Sequence, residues 1–374
     1  METLPPNALD PPKPLVGVTL IEGPDFQWPC NPSSNISQIT SCPALSFLKA
    51  IDSAATTSNS TVSSLQPPLR TISLRKNSSL PPRKHSRESS ETRRWYEPVG
   101  IFKMGWYRKH LTELPSVVVC PVQFEPYTDE EQWGSMERSI ETIYGQARGQ
   151  LNGRHCRLVM LCVVLRDYSI DRETKDRLHV ASDRVSSLRK HLGLEKSQVQ
   201  LIYTADMLPT STTMQKIYKT LHGYASEYYK FSSKLTREHK RGVDSRSGLS
   251  FCGQLIMTVR HNLKTSIFYE FRGTPLKALR HLDVCYGKLI DLQKVYENDI
   301  IATGKATGIT VEELKMVASL VNYNICRLNF SLSKGIDAME QFQKHVSAFR
   351  HLKSIVPCMK VLQVGTGLNE VEHP

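Results

Sequence analysis

Residues Arg157 to Leu165, RLVMLCVVL, are apolar without a break after the first. A half-exposed strand alternates, so an unbroken apolar run of this length needs cover on both faces. Segments with helical periodicity flank it. Asp129 to Leu151 places Trp133, Met136, Ile140, Ile143, Ala147 and Leu151 on one helical face. Glu173 to Leu192 repeats the signal with Leu178, Ala181, Val185, Leu188 and Leu192, and Gly193 follows as a helix C-cap. Two more strand-like runs complete an alternation: Ser116 to Phe124, SVVVCPVQF, where Pro121 marks a bulge or the strand's end, and Val199 to Thr204, VQLIYT. Strand, helix, strand, helix, strand in this order predicts a small parallel sheet with covering helices. Leu15 to Ile21, LVGVTLI, is placed to join it as a first strand.

After Pro209 the period is helical throughout. Thr212 to Lys240 carries Met214, Ile217, Tyr218, Leu221, Tyr224, Ala225, Tyr228 and Phe231 on an aromatic-rich face. Leu249 to Phe271, Pro275 to Asn298, Val311 to Leu332 and Ile336 to Ile355 follow, with Gly273, Gly304, Gly308 and Gly335 in the turns. Two of these helices echo each other. Ala278, Leu282 and Tyr286 follow Gly273, while Ala338, Phe342 and Val346 follow Gly335. A small residue lets a partner helix approach and the large ones fill the groove, as in paired helical repeats. The expected fold is therefore α/β followed by all-α: a sheet domain over 95–208 with its first strand at 15–22, then the start of an α-solenoid of tetratricopeptide-like helix pairs over 210–356.

The remaining segments lack apolar content. Residues 1–14 are Pro-rich, 31–92 are rich in Ser, Pro and basic residues, and 357–374 form a tail; all three are expected to be unstructured, with a short helix at Ala44 to Ala54. Ser78 and Ser86 follow basic pairs and are phosphorylation candidates. The net charge of +12 favours acidic partners. It is concentrated in two places, Arg70 to Arg94 and Thr210 to Lys288. Nine cysteines without a CxxC pair favour a reducing compartment over a zinc framework. Neither a signal peptide nor a membrane-length apolar run is seen.

The motifs of catalysis are missing. No GxGxxG follows a strand, Gly304-Lys305 lacks the rest of a phosphate loop, and no GxSxG occurs. RDYSIDRETKDR is a solvated loop entering a helix rather than a calcium loop. Cys120 and His155 are expected to be core residues beside strands, not a nucleophile and its base. No metal site, cofactor or catalytic residue is expected.

The stretch RRWYEPVGIFKMGWYRKHLTELPSVVV interleaves aromatic and basic residues. A nucleic-acid platform, a membrane anchor and a structural seal all use those residue types. Pro98, Gly100, Gly105 and Pro115 break an amphipathic helix and no RNP motif or zinc knuckle is present, which favours a compact irregular seal before a buried strand.

The same stretch resembles the signature of the subunit-eleven family of the TRAPP tethering complex, the family of the foie gras domain. Trp95, Tyr96, Pro98, Gly100, Ile101, Lys103, Gly105, Trp106, Lys109, His110, Pro115 and Val117 to Val119 carry the likeness. Two later blocks are similar in order: Val259-Arg260-His261 with Lys264, Phe268 and Glu270, and Asn322-Tyr323 with Ile325 to Leu328, Asp337-Ala338, Gln341-Phe342 and Lys344-His345. The resemblance implies a non-enzymatic scaffold in the cytoplasm, peripheral to the cis-Golgi and the ER–Golgi intermediate compartment. Its implied partners are other TRAPP subunits, Rab-family GTPases indirectly, and Golgi membrane; its implied roles are ER-to-Golgi transport and a link to autophagy. Trp95, Tyr96, Pro98, Gly100, Lys103, Gly105, Trp106, Lys109, His110, Arg260, His261, Asn322, Tyr323, Arg327, Phe342 and His345 become structural or partner-surface candidates. The alternative is a basic helical module, centred on 210–288, that binds anionic lipid or nucleic acid, the latter disfavoured. Family members run on well past the point where this chain stops, so a solenoid cut near Ile355 is expected to expose an apolar end and to be poorly soluble unless that end is bound.

Overall fold

The computed structural model describes residues 15–20, 70–75, 80, 100–101, 104–151, 153–164, 173–203, 212–244, 249–303 and 309–350. Two compact units divide the chain. The first comprises Met1–Tyr96, Lys103–Gly248 and His261–Leu282; the second comprises Glu97–Phe102, Leu249–Arg260 and Asp283–Pro374.

The first unit is built on five parallel strands in the order β2-β1-β3-β4-β5. These are β1 (Leu15–Leu20), β2 (Arg70–Arg75), β3 (Val117–Gln123), β4 (Arg157–Val164) and β5 (Val199–Tyr203). Every residue of β4 from Leu158 onward is buried, and so is β3 from Val117 to Val122, so both faces of the sheet centre are covered. Helix α2 (Glu130–Leu151) packs on β3 and β4 through the face the periodicity predicts, and α3 (Glu173–His191) packs on β5. Gly193 caps α3 at φ +64°, with Leu194 N donating to Arg189 O. Helix α4 (Thr212–Asp244) packs on β1 and β3.

Four expectations need correction here. Strand β2 lies inside the 31–92 segment expected to be unstructured: RTISLR alternates, and it adds to the open edge of β1 in full register. Pro121 ends nothing. Pairing of β3 with β1 is described as far as Val119, while pairing with β4 runs on through Pro121 to Gln123. The expected irregular seal is helical in its second half, as α1 (Met104–Arg108) continuing into a π-turn at Lys109–Glu113. His155 is exposed rather than in the core, whereas Cys120 is fully buried. The helix proposed at Ala44 to Ala54 and the 1–14 and 357–374 segments lie outside the described residues.

Four helices follow among the described residues: α5 (Phe251–Phe271), α6 (Pro275–Thr303), α7 (Val311–Ser331) and α8 (Gly335–Phe349). Helices α5 and α7 have equal length and start sixty residues apart; α6 and α8 also start sixty residues apart, though α6 is the longer. Several backbone bonds recur in the turns between them. Thr274 N donates to Tyr269 O as Lys334 N does to Asn329 O, and Gly273 and Ser333 both hold a left-handed backbone, at φ +64° and +60°. The echo around Ala278 and Ala338 is thus a duplicated helix pair, and both alanines are buried. The spacing exceeds the roughly 34 residues of a tetratricopeptide unit.

Candidate functional site: a buried peptide clamp and an open helix face

In the second unit, one peptide group is held from both ends. Arg260 is buried on α5 and donates from Nη2 to Gly100 O and from Nε to Ile101 O at 2.9 Å. On the other side Ile101 N donates to Glu313 Oε1 at 2.6 Å. Hydrogen bonds to charged groups contribute roughly 1.5–3 kcal/mol each, about twice neutral ones. Gly100 sits at φ +70°, a backbone form that favours glycine, and a Cβ there would lie 2.7 Å from Glu313 Oε1, so a side chain would have to displace the carboxylate from the clamp. The carboxylate is aimed by α7 itself. Thr310 is the N-cap and accepts from Glu313 N at 3.1 Å, which places Glu313 in the first turn. Two sequence blocks, around Gly100 and around Arg260, therefore meet in the fold. Glu313 was missed, although Thr310-x-x-Glu313 is a readable capping-box pattern.

In the first unit, Trp106 is half-buried on α1 with Phe268 edge-on at 5.6 Å and Lys264 Nζ 5.2 Å from its ring. The His110 ring lies 4.6 Å from Trp106 and 5.3 Å from Phe268. Burial first, then the charges of Lys109, Lys264 and Arg154, lower the His110 pKa to about 3, so the ring is neutral at physiological pH. Gly105 is exposed with open space around it. Beneath this cluster Tyr229, which the face assignment for α4 omitted, is wholly buried. It stacks on Phe271 at 4.3 Å, and its hydroxyl accepts from Leu15 N where β1 begins.

The duplicated helix pairs share a polar clasp. Asn262 Oδ1 lies 3.0 Å from His281 Nδ1, and sixty residues on Asn322 Oδ1 accepts from Gln341 Nε2 at 3.0 Å. His261 is buried 3.2 Å from His239, and Arg327 donates to Asn324 Oδ1 within its own helix. In the second unit, His345 on α8 meets the Tyr286 hydroxyl at 3.1 Å, Lys344 Nζ stands over the Tyr286 ring at 5.6 Å, and Phe349 closes on the same ring. Helix α8 thereby covers that part of α6. Its own outward stripe is bare. Met339, Phe342 and Val346 are 54%, 53% and 41% exposed, while their counterparts on α6, Leu279, Leu282 and Tyr286, are 9%, 1% and 1% exposed. Ile336 and Phe330 extend the bare stripe and Tyr323 is also exposed. Of the residues singled out from sequence, Arg260, His261 and Asn322 are buried, and Tyr323 and Phe342 are exposed. Ile336 and Met339 went unremarked, though their spacing with Phe342 and Val346 is legible. Trp95, Tyr96, Pro98, Lys103, Ser78 and Ser86 lie outside the described residues.

Among the described residues no group of three or more His, Cys, Asp or Glu side chains is placed to hold a metal ion, and no helix is long and apolar enough to cross a membrane.

Residues 94–210 match the family described as the trafficking protein particle complex subunit 11 N-terminal domain. Curated relatives named trafficking protein particle complex subunit 11 from Bos taurus and Homo sapiens are each 27% identical over 253 residues, which is 67% of this chain and 20% of theirs. One from Gallus gallus is 26% identical over a stretch of the same length. The chain spans about a fifth of the length of the curated relatives it matches.

Proposed function

We propose that this chain, whose residues 94–210 match the N-terminal domain family of trafficking protein particle complex subunit 11, is a non-enzymatic scaffold subunit that docks onto other subunits of that complex. In this reading it supports Rab-family GTPase activation indirectly and serves ER-to-Golgi vesicle transport, with a link to autophagy. It works in the cytoplasm, in peripheral contact with the cis-Golgi and the ER–Golgi intermediate compartment. The helix pairs form the beginning of an α-solenoid, whose stacked units present extended surfaces to proteins.

One observation carries the reading. Two helix pairs share a backbone pattern, yet the stripe that is covered on α6 is bare on α8. Since α6 is covered around Tyr286 by a helix of the next pair, the α8 stripe fits another antiparallel pair of amphipathic helices, contributed by a partner subunit. The test is capture of the tagged full-length chain from cells at moderate salt with nuclease, read by mass spectrometry, beside a variant carrying Met339→Ser, Phe342→Ser and Val346→Ser. Recovery of other TRAPP subunits by the parent chain and their loss with the variant is expected. Equal recovery by both overturns the α8 surface, and ribonucleoproteins in place of TRAPP subunits overturn the scaffold reading.

A further inference from the structure

Two hollows open side by side in the first unit where β4 begins, both lined by side chains of that unit. The first, about 370 Å3, adjoins the C-terminal ends of α2 and α3; Arg148, Arg154 and Arg157 line it and no carboxylate does. The second, about 430 Å3, shares Arg154 and Arg157 and adds the rings of His155, Tyr224 and Phe231, with Glu227 its one acid. The two helix C-termini carry about half a negative charge each, which offsets part of three guanidinium charges and leaves the first hollow positive. The nearby Glu195 does little to change this. Its contact with Arg157 is long, at 3.6 Å, and exposed, and its carboxylate also caps the turn at Lys196–Gln198. Planar side chains line the second hollow: the Arg157 guanidinium lies over Tyr224 at 5.9 Å, and the His155 ring meets Phe231 at 4.1 Å, tilted by 47°.

We infer that these hollows form a binding site for a phosphate ester carried on a ring. Guanidinium forks suit phosphate oxygens, and the first hollow is too large for a phosphate group alone. Flat side chains in the second hollow match a ring body. The site lies at the N-terminal end of its strand, opposite the edge where open α/β sheets usually bind ligands, so fold analogy does not supply it. The shared chemistry has two sources, a soluble nucleotide and an inositol-phosphate lipid headgroup, and the probes separate them.

The full-length chain is titrated calorimetrically with adenosine monophosphate and, separately, floated with vesicles containing phosphatidylinositol 4-phosphate. Binding of at least one probe is expected, weakened about ten-fold by Arg148→Gln with Arg157→Gln. The surface control Lys216→Gln with Lys219→Gln, exposed on α4, is expected to change it less than about two-fold. Arg148→Gln alone, at an exposed helix position, gives a partial loss without risk to folding. Nucleotide binding alone assigns the soluble source and vesicle binding alone the headgroup. No binding of either probe, or equal weakening by the control pair, overturns the site.

Discussion

Helices α6 and α8 follow the same turn, start sixty residues apart and bury an alanine at the same place, yet one is sealed and the other open. Leu282 and Phe342 occupy equivalent positions with 1% and 53% exposure. The turn that leads into each helix has the same backbone form, so the turn does not cause the difference. What differs is enclosure: the Tyr286 end of the α6 stripe is covered by α8, and the α8 stripe is exposed. Apolar periodicity records that a helix face is built to be covered; the covering element lies elsewhere in the chain or in another molecule.

The largest effect should separate these two positions. Leu282→Ala is expected to cost about 2–5 kcal/mol in urea unfolding, and Phe342→Ala within about 0.5 kcal/mol, because a cavity forms only where the side chain is enclosed. Equal costs would mean that the α8 stripe is covered in the isolated chain. Next in size is a difference at the first helix of each pair. Arg260 on α5 has Leu320 as its counterpart on α7, both buried. Arg260→Leu, which makes the first pair like the second, leaves the Gly100 and Ile101 carbonyls without their guanidinium and is expected to cost roughly 2–4 kcal/mol. Leu320→Ala serves as a control that lowers stability without loosening residues 100–101, as amide exchange at Ile101 would report.

A smaller prediction concerns pH. Burial first, then Arg237 and Lys240, lower the His281 pKa, while its counterpart Gln341 does not titrate. The neutral ring is favoured in the fold. Its contribution is therefore whole above the unfolded value of about 6.5 and is lost as pH falls below it. His281→Gln, borrowing the residue of the second pair, should flatten the loss of stability between pH 7 and pH 5, and an unchanged slope would exclude His281 as its source. The smallest effect lies in the turns. Gly273 adopts φ +64° without cost, whereas Ser333 holds φ +60° against its Cβ. Ser333→Gly is expected to stabilise by about 0.5–1 kcal/mol, read as a rise in Tm.

Much of the fold was legible because burial on two faces leaves a plain record. The unbroken apolar runs of β3 and β4 and the faces of α2 and α4 appear in the structure where their spacing puts them. Strand β2 was not legible, because six residues in a Ser-, Pro- and Arg-rich segment become a strand by pairing with β1, and that pairing is non-local. Tyr229 was passed over for the same reason: adjacent to Tyr228 on α4, it gains its role from Phe271 and from the start of β1. Half of the clamp could be seen as motifs, but motifs do not say that Arg260 reaches Gly100 across more than a hundred and fifty residues.

The sequence by itself determined the alternation from β3 to β5 and the helices after it, the duplicated pairs, the basic charge and the likeness to a tethering-complex subunit, because periodicity, charge and motif spacing are local properties that neighbouring residues write directly. Only the tertiary structure decided that Gly100 and Ile101 are gripped between Arg260 and Glu313, that three arginines gather around one hollow, and that α8 is bare where α6 is covered. Those are relations between side chains far apart in the chain. A contact energy depends on distance in space, and one sequence does not record that distance until the chain has folded.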